Sequence, residues 1–555
     1  MTDNKKIADL LFPNNKYTVE QVEKMFPDRK LKEGAEVTRF APSPTGYLHL
    51  GHFFQSVVDK FLAKKTGGLF LFRLEDTDSK RAVEGAEELA LKFLDEYGLS
   101  SDEGLTAKGT IGQYGPYRQS ERVEFYNAYA KMLVEKGRAF PCFCNAPDGK
   151  DEILENREKM LEETSTIVEH DVCRDLTYEQ VKANIEQGKP FAIRLRSMNK
   201  EGDKIVVKDR IKGNREIPAN LKDTVLIKKD GIPPYPFAHP VDDHLMKTTT
   251  VVRGEDWFSS VAQHVEIFEA LGFEPIEYIH TALICKIDEQ TGNKRKLSKR
   301  KDPENNVMYF GEQGYPKTGV LEYLLTLINS NFEDWRKENP TASLFDFPFS
   351  VEKMGVSSPM FDLIKLNDVS KNVISRMKAA DVYNETLTWA KENDKEFAYV
   401  LENNKNLAIN ALNIDREIER PRKDITTYKE VKDLYRYFFN EIFDRQELLN
   451  FDVKFNKQTI INFLSAYKNA YSLIVEKNDW FATVKDIAGK YGFATDNKLY
   501  KQDPAAFVGN VADACAIVRI ALTGRNQTPD LYSIMQTLGK NEVDSRIDFV
   551  INNLK

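Results

Sequence analysis

From Glu36 onward the chain alternates apolar runs with helical periods. EVTRFAPS reads as a short strand, and after a loop of proline and glycine, LHLGHFFQSVVDKFLAKKTGG spaces Leu50, Phe54, Val57, Phe61 and Leu62 along one side of a helix. Gly67 and Gly68 stand where a left-handed cap would close that helix. LFLFRLED is apolar at successive positions, as a strand covered on both faces must be, and AVEGAEELALKFLDEYGL supplies a second amphipathic helix. Strand, helix, strand, helix predicts a parallel sheet, whose ligands gather beyond the carboxyl ends of the strands. Arg39 to Thr45 and Glu75 to Asp78 occupy those ends.

Between Cys142 and Lys229 the alternation loosens into a charged helical stretch, DEILENREKMLEE, and short β-like pieces, PFAIRLRS and DKIVVKDRI; together they read as an insertion between two halves of one sheet. GIPPYPFAHPVDDHLMKTTTVVRGEDW and EYIHTALICKID return to strand and loop, and GVLEYLLTLINS begins a helical region. Beyond residue 370, the periods Val431, Leu434, Phe438, Ile442 and Val511, Cys515, Val518, Leu522, the second ending at Gly524, predict an all-helical C-terminal third. The first 36 residues are polar apart from Ile7, Leu10, Leu11 and a few others, offer no group that converges on a site, and read as an extension.

A chain of 555 residues exceeds what one hydrophobic core organises, so several domains are expected. Lys and Arg total 79 against 86 Asp and Glu, a formal charge of −7, so any nucleic-acid surface must be a local patch. No segment has the apolar length of a secretion signal or a membrane span, which predicts a cytoplasmic protein with no membrane partner. Five cysteines are too few for a disulfide scaffold, but Cys142, Cys144 and Cys173 lie close enough in sequence to raise the question of a metal.

PSPTGYLHLGH joins strand to helix and delivers His49 and His52, three residues apart on one face, to the helix start. Free N–H groups and the positive end of the dipole favour a phosphate there, and two imidazoles can hydrogen-bond it as charge builds up. Alone, HxxH fits an ordinary capped helix, and KRKLSKRKD, from Lys294 to Asp302, fits a solvated charge run. Together they describe a lysine-rich loop that closes over a triphosphate held at a helix start. In this the chain resembles the class I aminoacyl-tRNA synthetases, whose HIGH motif matches His49, Leu50, Gly51 and His52 and whose KMSKS motif matches Lys296, Leu297, Ser298, Lys299 and Arg300. VTRFAPSPTGYLHLGH, FRLEDTD, YGPYRQSER, VDDHLM and VVRGEDW are similar to the glutamyl branch of that class, and RIALTG, Arg519 to Gly524, resembles part of its bacterial-type anticodon-binding domain.

The resemblance implies an α/β fold: a Rossmann-like parallel-sheet catalytic domain with an α+β insertion, followed by an all-α anticodon-binding domain. The expected divisions are an extension (1–36), a first catalytic half (37–140), an insertion that binds the tRNA acceptor end (141–230), a second half with the KMSKS-like loop and a stem-contact region (231–370), and the anticodon-binding domain (371–555). It implies activation of glutamate with ATP and Mg2+ to glutamyl-adenylate and pyrophosphate, then transfer to the 3′ end of tRNA(Glu), with tRNA(Gln) left open as a second acceptor and a monomer expected.

By the same resemblance His49, Gly51, His52 and Lys299 bind ATP, with Lys299 first and Lys296 supporting it on the pyrophosphate side of the transition state. An anionic side chain demands a buried cation, and Arg39 can provide one with bidentate geometry. Ser43 and Glu75 match positions that hold the α-ammonium group, Tyr235 one that contacts the substrate side chain, and Arg253 one that engages a substrate carboxylate. Taken singly each fits a structural ion pair, a helix-approach charge or packing; their joint occurrence in matching order points to substrate. His239 stands where bacterial enzymes carry Asn, in a FAHP run closer to glutaminyl and archaeal-type relatives, and its imidazole can still donate to a carboxylate. Cys142, Cys144 and Cys173 with His170 or Asp175 as fourth ligand would make a tetrahedral zinc site; the alternative is three reduced structural thiols. The competing functions are a glutaminyl-tRNA synthetase, which usually reads its anticodon through β-barrels, and an HxGH nucleotidylyltransferase, which does not need Arg39, Glu75, Tyr235 and Arg253 together.

Overall fold

The computed structural model describes residues 3–144, 173–451 and 454–555, in two compact units: Met1–Val307 with Leu321–Asp362, and Met308–Val320 with Leu363–Lys555. The first unit opens with helices α1 (Asp3–Leu11) and α2 (Val19–Met25). Next come β1 (Val37–Phe40), α3 (Leu50–Thr66), β2 (Leu69–Phe72), α4 (Ala86–Glu96), β3 (Glu103–Thr106), β4 (Gly109–Ile111) and α5 (Val123–Glu135). Past β5 (Ala139–Cys142) follow α6 (Tyr178–Glu186), β6 (Ala192–Leu195), β7 (Lys204–Asp209), β8 (Gly213–Pro218) and β9 (Val225–Ile227). Then come α7 (Tyr235–Leu245), β10 (Thr250–Gly254), α8 (Val261–Leu271), β11 (Glu277–Thr281), β12 (Cys285–Ile287) and β13 (Lys294–Lys296).

The main sheet has eight strands in the order β4-β3-β2-β1-β10-β11-β7-β8. Its six central strands are parallel, as the alternation of apolar runs and helical periods predicts, while the β3–β4 and β7–β8 pairs at its two edges are antiparallel. All four residues of β1 are buried, so the strand is covered on both faces. Helix α3 ends at Gly67, whose φ of 67° is the left-handed cap, and a Cβ at the next residue, Gly68, would come within 1.8 Å of the Glu36 carbonyl oxygen. Only glycine lets the chain turn back so closely into β2.

Several elements differ from their sequence expectations. DKIVVKDRI, expected with the insertion, forms β7 and pairs with β11 in the main sheet, Tyr278 beside Asp209; its alternating burial reflects an edge hairpin. PFAIRLRS, by contrast, forms β6 as expected of a β-like piece of the insertion, in a separate three-stranded antiparallel sheet, order β5-β6-β9. YPFAHPVDDHL, expected as strand and loop, is α7. Pro236 lies in its first turn, where a missing N–H costs nothing, and although Pro240 removes one internal bond, Phe237, Ala238, Val241 and Leu245 are all buried. DEILENREKMLEE lies outside the described residues. The first 36 residues pack against α5 through Ile7, Ala8, Leu11, Val22 and Phe26, all buried.

Among the described residues the second unit is helical apart from a two-stranded pair, β14 (Phe493–Ala494) with β15 (Gly509–Asn510). Val511–Thr523 is a helix closed by Gly524 at φ 69°, as expected. The period from Val431 to Ile442 is not one helix: an α-helix over Glu430–Tyr435 passes into a 3-10 turn, Arg436–Phe438, which puts Tyr435, Tyr437 and Phe438 into the core. Among the described residues no helix is long and apolar enough to cross a membrane.

Candidate active site

Neighbours β1 and β10 run parallel, with Thr38 beside Thr250, while β2 lies beyond one and β11 beyond the other. The sheet thus reverses its order between them, which makes a crevice at their carboxyl ends. Arg39 stands near the end of β1 and Arg253 near the end of β10, each 3% exposed. Burying two guanidinium groups costs several kcal/mol unless they are paired, so their partners define the site.

The partner of Arg39 comes from α7. Its Nε is 3.4 Å from Asp243 Oδ1, and its Nη2 is 3.4 Å from His239 Nδ1. Asp243 also accepts from Arg73 Nη1 at 2.7 Å, and Arg73 donates through Nη2 to Glu75 Oε1 at 3.0 Å. The neighbouring Asp242 accepts from Arg122 Nε at 2.6 Å, from Tyr126 at 2.8 Å and from Gln119 at 2.9 Å. Three buried cations, Arg39, Arg73 and Arg122, thus face three buried carboxylates, Glu75, Asp242 and Asp243. Burial alone would raise the Asp243 carboxyl, but Arg73 and then Arg39 hold it well below the usual range. Burial pushes Glu75 up to about 6 against the pull of Arg73 and Arg39.

Arg253 is held by rings. Its Nε donates to His280 Nε2 at 3.0 Å, and its Nη1 lies 3.4 Å from the Tyr235 hydroxyl and 3.2 Å from His264 Nδ1. An arginine only donates, so His280 carries its hydrogen on Nδ1, which lies 2.7 Å from Asp209 Oδ2. Among the described residues Arg253 Nη2 and His239 Nε2 are buried and make no hydrogen bond, which is also true of Arg73 Nε, Arg122 Nη2 and His264 Nε2. Tyr235 stacks on His239 at 5.4 Å and 7°, and Trp257 lies 5.0 Å from Tyr235. Ser43 is exposed on the loop after β1.

The second half of the crevice is at the start of α3. His49 is the N-cap, and its Nδ1 accepts the His52 N–H at 3.3 Å, so one of the N–H groups expected to face a phosphate is already engaged. The two rings stack at 3.7 Å, and a Cβ at Gly51 would press to 3.1 Å of the His49 ring. Burial first, then Lys299 and Lys296, hold His49 down at about 4; burial and then His49 hold His52 well below its ordinary value, so both are neutral at pH 7. The lysine loop meets this helix start: a Cβ at Gly46 would lie 3.9 Å from Lys299 Nζ, and His49 forms an antiparallel bridge with Asn306. Lys296 lies 3.6 Å from Asp256. Asp302 braces the loop, accepting the Ser298 N–H at 2.8 Å and two bonds from Arg295 at 2.5 and 2.8 Å; Arg295 first holds its carboxyl at about 2.

The sulfur atoms of Cys142, Cys144 and Cys173 all lie within 4.8 Å of one another. Cys144 and Cys173 are 3.5 Å apart, and Cys173 Sγ accepts the Phe143 N–H at 3.3 Å. Three converging thiols suit a soft divalent ion such as zinc. Asp175 is exposed and paired with Arg196 at 3.0 Å, away from this set, and His170 lies outside the described residues.

Sequence reasoning missed Arg73, Asp242, Asp243, His264 and His280. For Arg73, Asp242 and Asp243 the signal was present in the charged residues of FRLED and VDDHLM, and for His264 and His280 in a histidine inside each of the mostly apolar runs VAQHVEIF and EYIHTALI. A charge inside a buried element needs a buried partner.

The chain matches the family tRNA synthetases class I (E and Q), catalytic domain, over residues 36–337, and the family Anticodon binding domain over residues 510–551. Fold and site together define a class I tRNA synthetase. The glutamate–tRNA ligase of Clostridium perfringens (strain 13 / Type A) is 44% identical over 549 residues, 98% of this chain and 99% of the relative; that of Acetivibrio thermocellus is likewise 44% identical over 549 residues, with the same coverage. A solved glutamate tRNA ligase from Elizabethkingia meningosepticum in complex with its amino acid superposes with a TM-score of 0.69 at 26% identity, covering 94% of this chain and 100% of the other. This chain belongs to the glutamate–tRNA ligases.

Proposed function

We propose that the crevice between β1 and β10 performs both steps of glutamate ligation, with glutamate between Arg39 and Arg253 and ATP over His49 and His52. In the first step a glutamate α-carboxylate oxygen attacks the α-phosphorus of ATP, the bond to the β-phosphate oxygen breaks, and pyrophosphate leaves. Little covalent help is needed; positioning and charge stabilisation carry the step. Lys299, supported by Lys296, neutralises the charge that grows on the leaving pyrophosphate, while neutral His49 and His52 donate hydrogen bonds to phosphate oxygens. ATP enters as its Mg2+ complex, which shields charge between the phosphates. In the second step the terminal ribose hydroxyl of tRNA attacks the acyl carbon and AMP leaves.

Arg39 pairs with the γ-carboxylate, Glu75 and Ser43 take the α-ammonium, Tyr235 and His239 line the side chain, and Arg253 Nη2 takes a substrate carboxylate. The observation that carries this reading is the buried Arg253 Nη2 and His239 Nε2, both without a hydrogen bond among the described residues and both on elements that end at the crevice. The insertion would receive the acceptor end and the helical unit the anticodon of tRNA(Glu). Cys142, Cys144 and Cys173 would hold zinc as a structural cross-link at the base of the insertion. A monomer in the cytoplasm fits the sequence reading.

Pyrophosphate exchange measured with glutamate or glutamine, with and without tRNA, tests the chemistry. Exchange should depend on glutamate; exchange that runs equally well on glutamine overturns the assignment of the side-chain pocket. Charging of purified tRNA(Glu) and tRNA(Gln) then decides whether the second acceptor is used.

A further inference from the structure

The segment before β1 reaches the far end of the helix that carries Tyr235, His239 and Asp243. Arg29 donates through Nε to the carbonyl of Met246, the C-cap of α7, at 2.9 Å. A helix end leaves its last carbonyls without internal partners and carries negative charge, so a guanidinium there both satisfies a carbonyl and complements the dipole. The same guanidinium is fixed by two bonds to Glu103, at 2.8 and 2.9 Å, and lies 3.8 Å from the Tyr114 ring centroid. Two residues before that cap, Nε2 of His244 lies 2.8 Å from Glu23 Oε1, which accepts from Tyr129 at 2.6 Å; the His244 ring stacks on Phe273 at 3.6 Å. Phe26 covers Arg122, whose guanidinium is 5.2 Å from the Phe26 centroid and holds Asp242 of α7 at 2.6 Å.

Three residues of one short segment, Glu23, Phe26 and Arg29, thus hold α7 at His244, at Asp242 through Arg122, and at Met246. Arg29 is 217 residues from its carbonyl partner and Glu23 is 221 from His244. Arg39, Arg73 and Arg122 hold α7 at Asp242 and Asp243, and Glu23 and Arg29 add bonds at its carboxyl end that fix how far it can slide or rotate. A shift of ~1 Å in a substrate-positioning element is enough to cost activity about a hundredfold.

We propose that residues 18–29 are a clamp that sets the register of α7, and that Arg29 and Glu23 are positioning residues for glutamate recognition, acting through His239 and Asp243. The proposal rests on the glutamate site described above. ATP sits against α3 and the lysine loop, which the clamp does not touch, so a clamp defect should fall on one substrate.

The test compares KM for glutamate and for ATP in tRNA-supplemented pyrophosphate exchange, using the full chain carrying Arg29→Met, Arg29→Lys or Glu23→Gln. Arg29→Met should raise the glutamate KM about tenfold and leave the ATP KM within about twofold. Glu23→Gln, which keeps the shape and loses the charge, should do the same more weakly, and Arg29→Lys should restore part of the loss. Equal changes in both KM values, or no change in either with the protein folded by circular dichroism, overturn the clamp. Where Arg29→Met does not fold, Glu23→Gln and Arg29→Lys decide by the same criterion. Arg39→Gln run beside them separates the two readings: a glutamate-specific loss there without one in the clamp variants sinks the clamp alone, whereas a loss spread over both substrates sinks the site itself.

Discussion

His239 Nδ1 lies 2.5 Å from Asp243 Oδ2 and 3.4 Å from Arg39 Nη2, and the nearer carboxylate favours the tautomer with its hydrogen on Nδ1. Arg73 and Arg39 keep Asp243 ionised, which leaves that proton on the imidazole. Burial, against the raising pull of Asp243, holds His239 down at about 4; Arg39 and Arg253 add to the lowering, and the facing Tyr235 and His264 rings bring no charge at pH 7. A neutral imidazole with its hydrogen on Nδ1 presents Nε2 as a bare acceptor. A glutamate carboxylate cannot donate to it, so binding should draw a proton onto Nε2, whereas the amide of glutamine could donate without one. Calorimetric titration in buffers of different ionisation enthalpy should show uptake of up to one proton with glutamate at pH 7 and none with glutamine. Identical heats in every buffer would remove His239 from the side-chain pocket.

Arg39→Gln should lower kcat/KM for glutamate about a hundredfold or more and leave ATP use nearly unchanged, as expected when a buried charge partner of the substrate is lost. The fold should tolerate the change, because Asp243 keeps Arg73 at 2.7 Å and is not left as an unpaired buried carboxylate. Steady-state exchange kinetics with each substrate varied in turn decide it; equal losses would make Arg39 structural.

Lys299→Ala should leave tRNA affinity nearly intact while slowing activation by about two orders of magnitude or more, the ~3–4 kcal/mol that one lost charge-stabilising group costs. Lys299 is exposed and its partner would be the nucleotide, so no stability loss should accompany the change. Single-turnover adenylate formation is the measurement, and an unchanged rate would take Lys299 out of the step.

The parts of this site that could be read from sequence are those carried by loops. His49 and Lys299 stand in short motifs whose residue types have a chemical reason, and Arg39 ends an obvious buried strand. What could not be read is how the helix α7 faces them. Pro236 and Pro240 disguise a helix as a loop, and Asp242 and Asp243 look like ordinary surface charges until Arg73, Arg122 and Arg39, from three other elements, are brought against them. Hairpin β7–β8 shows the same limit: its alternation reveals a half-covered strand but not which sheet covers it. The first 36 residues read as an extension because the α7 partners of Glu23 and Arg29, His244 and Met246, are more than 200 residues away.

Activation should fall as pH drops through about 6, where Glu75 takes up a proton and loses the charge that holds the α-ammonium. Stability runs the opposite way for this group: its folded pKa is raised above the ordinary 4.5, so its contribution is full below 4.5 and is lost as pH rises through about 6. The low-pH limb belongs in kcat/KM for glutamate, which reports the free protein, and bound ammonium should move it lower in kcat. Glu75→Gln should give a weak rate that is flat from pH 5 to 7, where both limits are about one unit to either side of the titration. A wild-type limb that persists in this variant would assign it to another group.

Zinc at the three cysteines would bear on the insertion alone. Three sulfurs mutually within 4.8 Å would repel as thiolates without a cation and would pack as ordinary buried groups only as thiols. The purified protein should carry about one zinc, and Cys173→Ser should release it, because it removes one of the three converging sulfur ligands. With zinc bound, a thiol reagent should leave Cys142, Cys144 and Cys173 unmodified, and chelation should expose all three. Asp175→Ala should not change the zinc content, since that carboxylate is exposed and paired with Arg196. Metal-free protein as purified, with Cys144 reacting as an ordinary half-buried thiol and Cys142 and Cys173 as ordinary buried ones, would establish them as reduced packing residues.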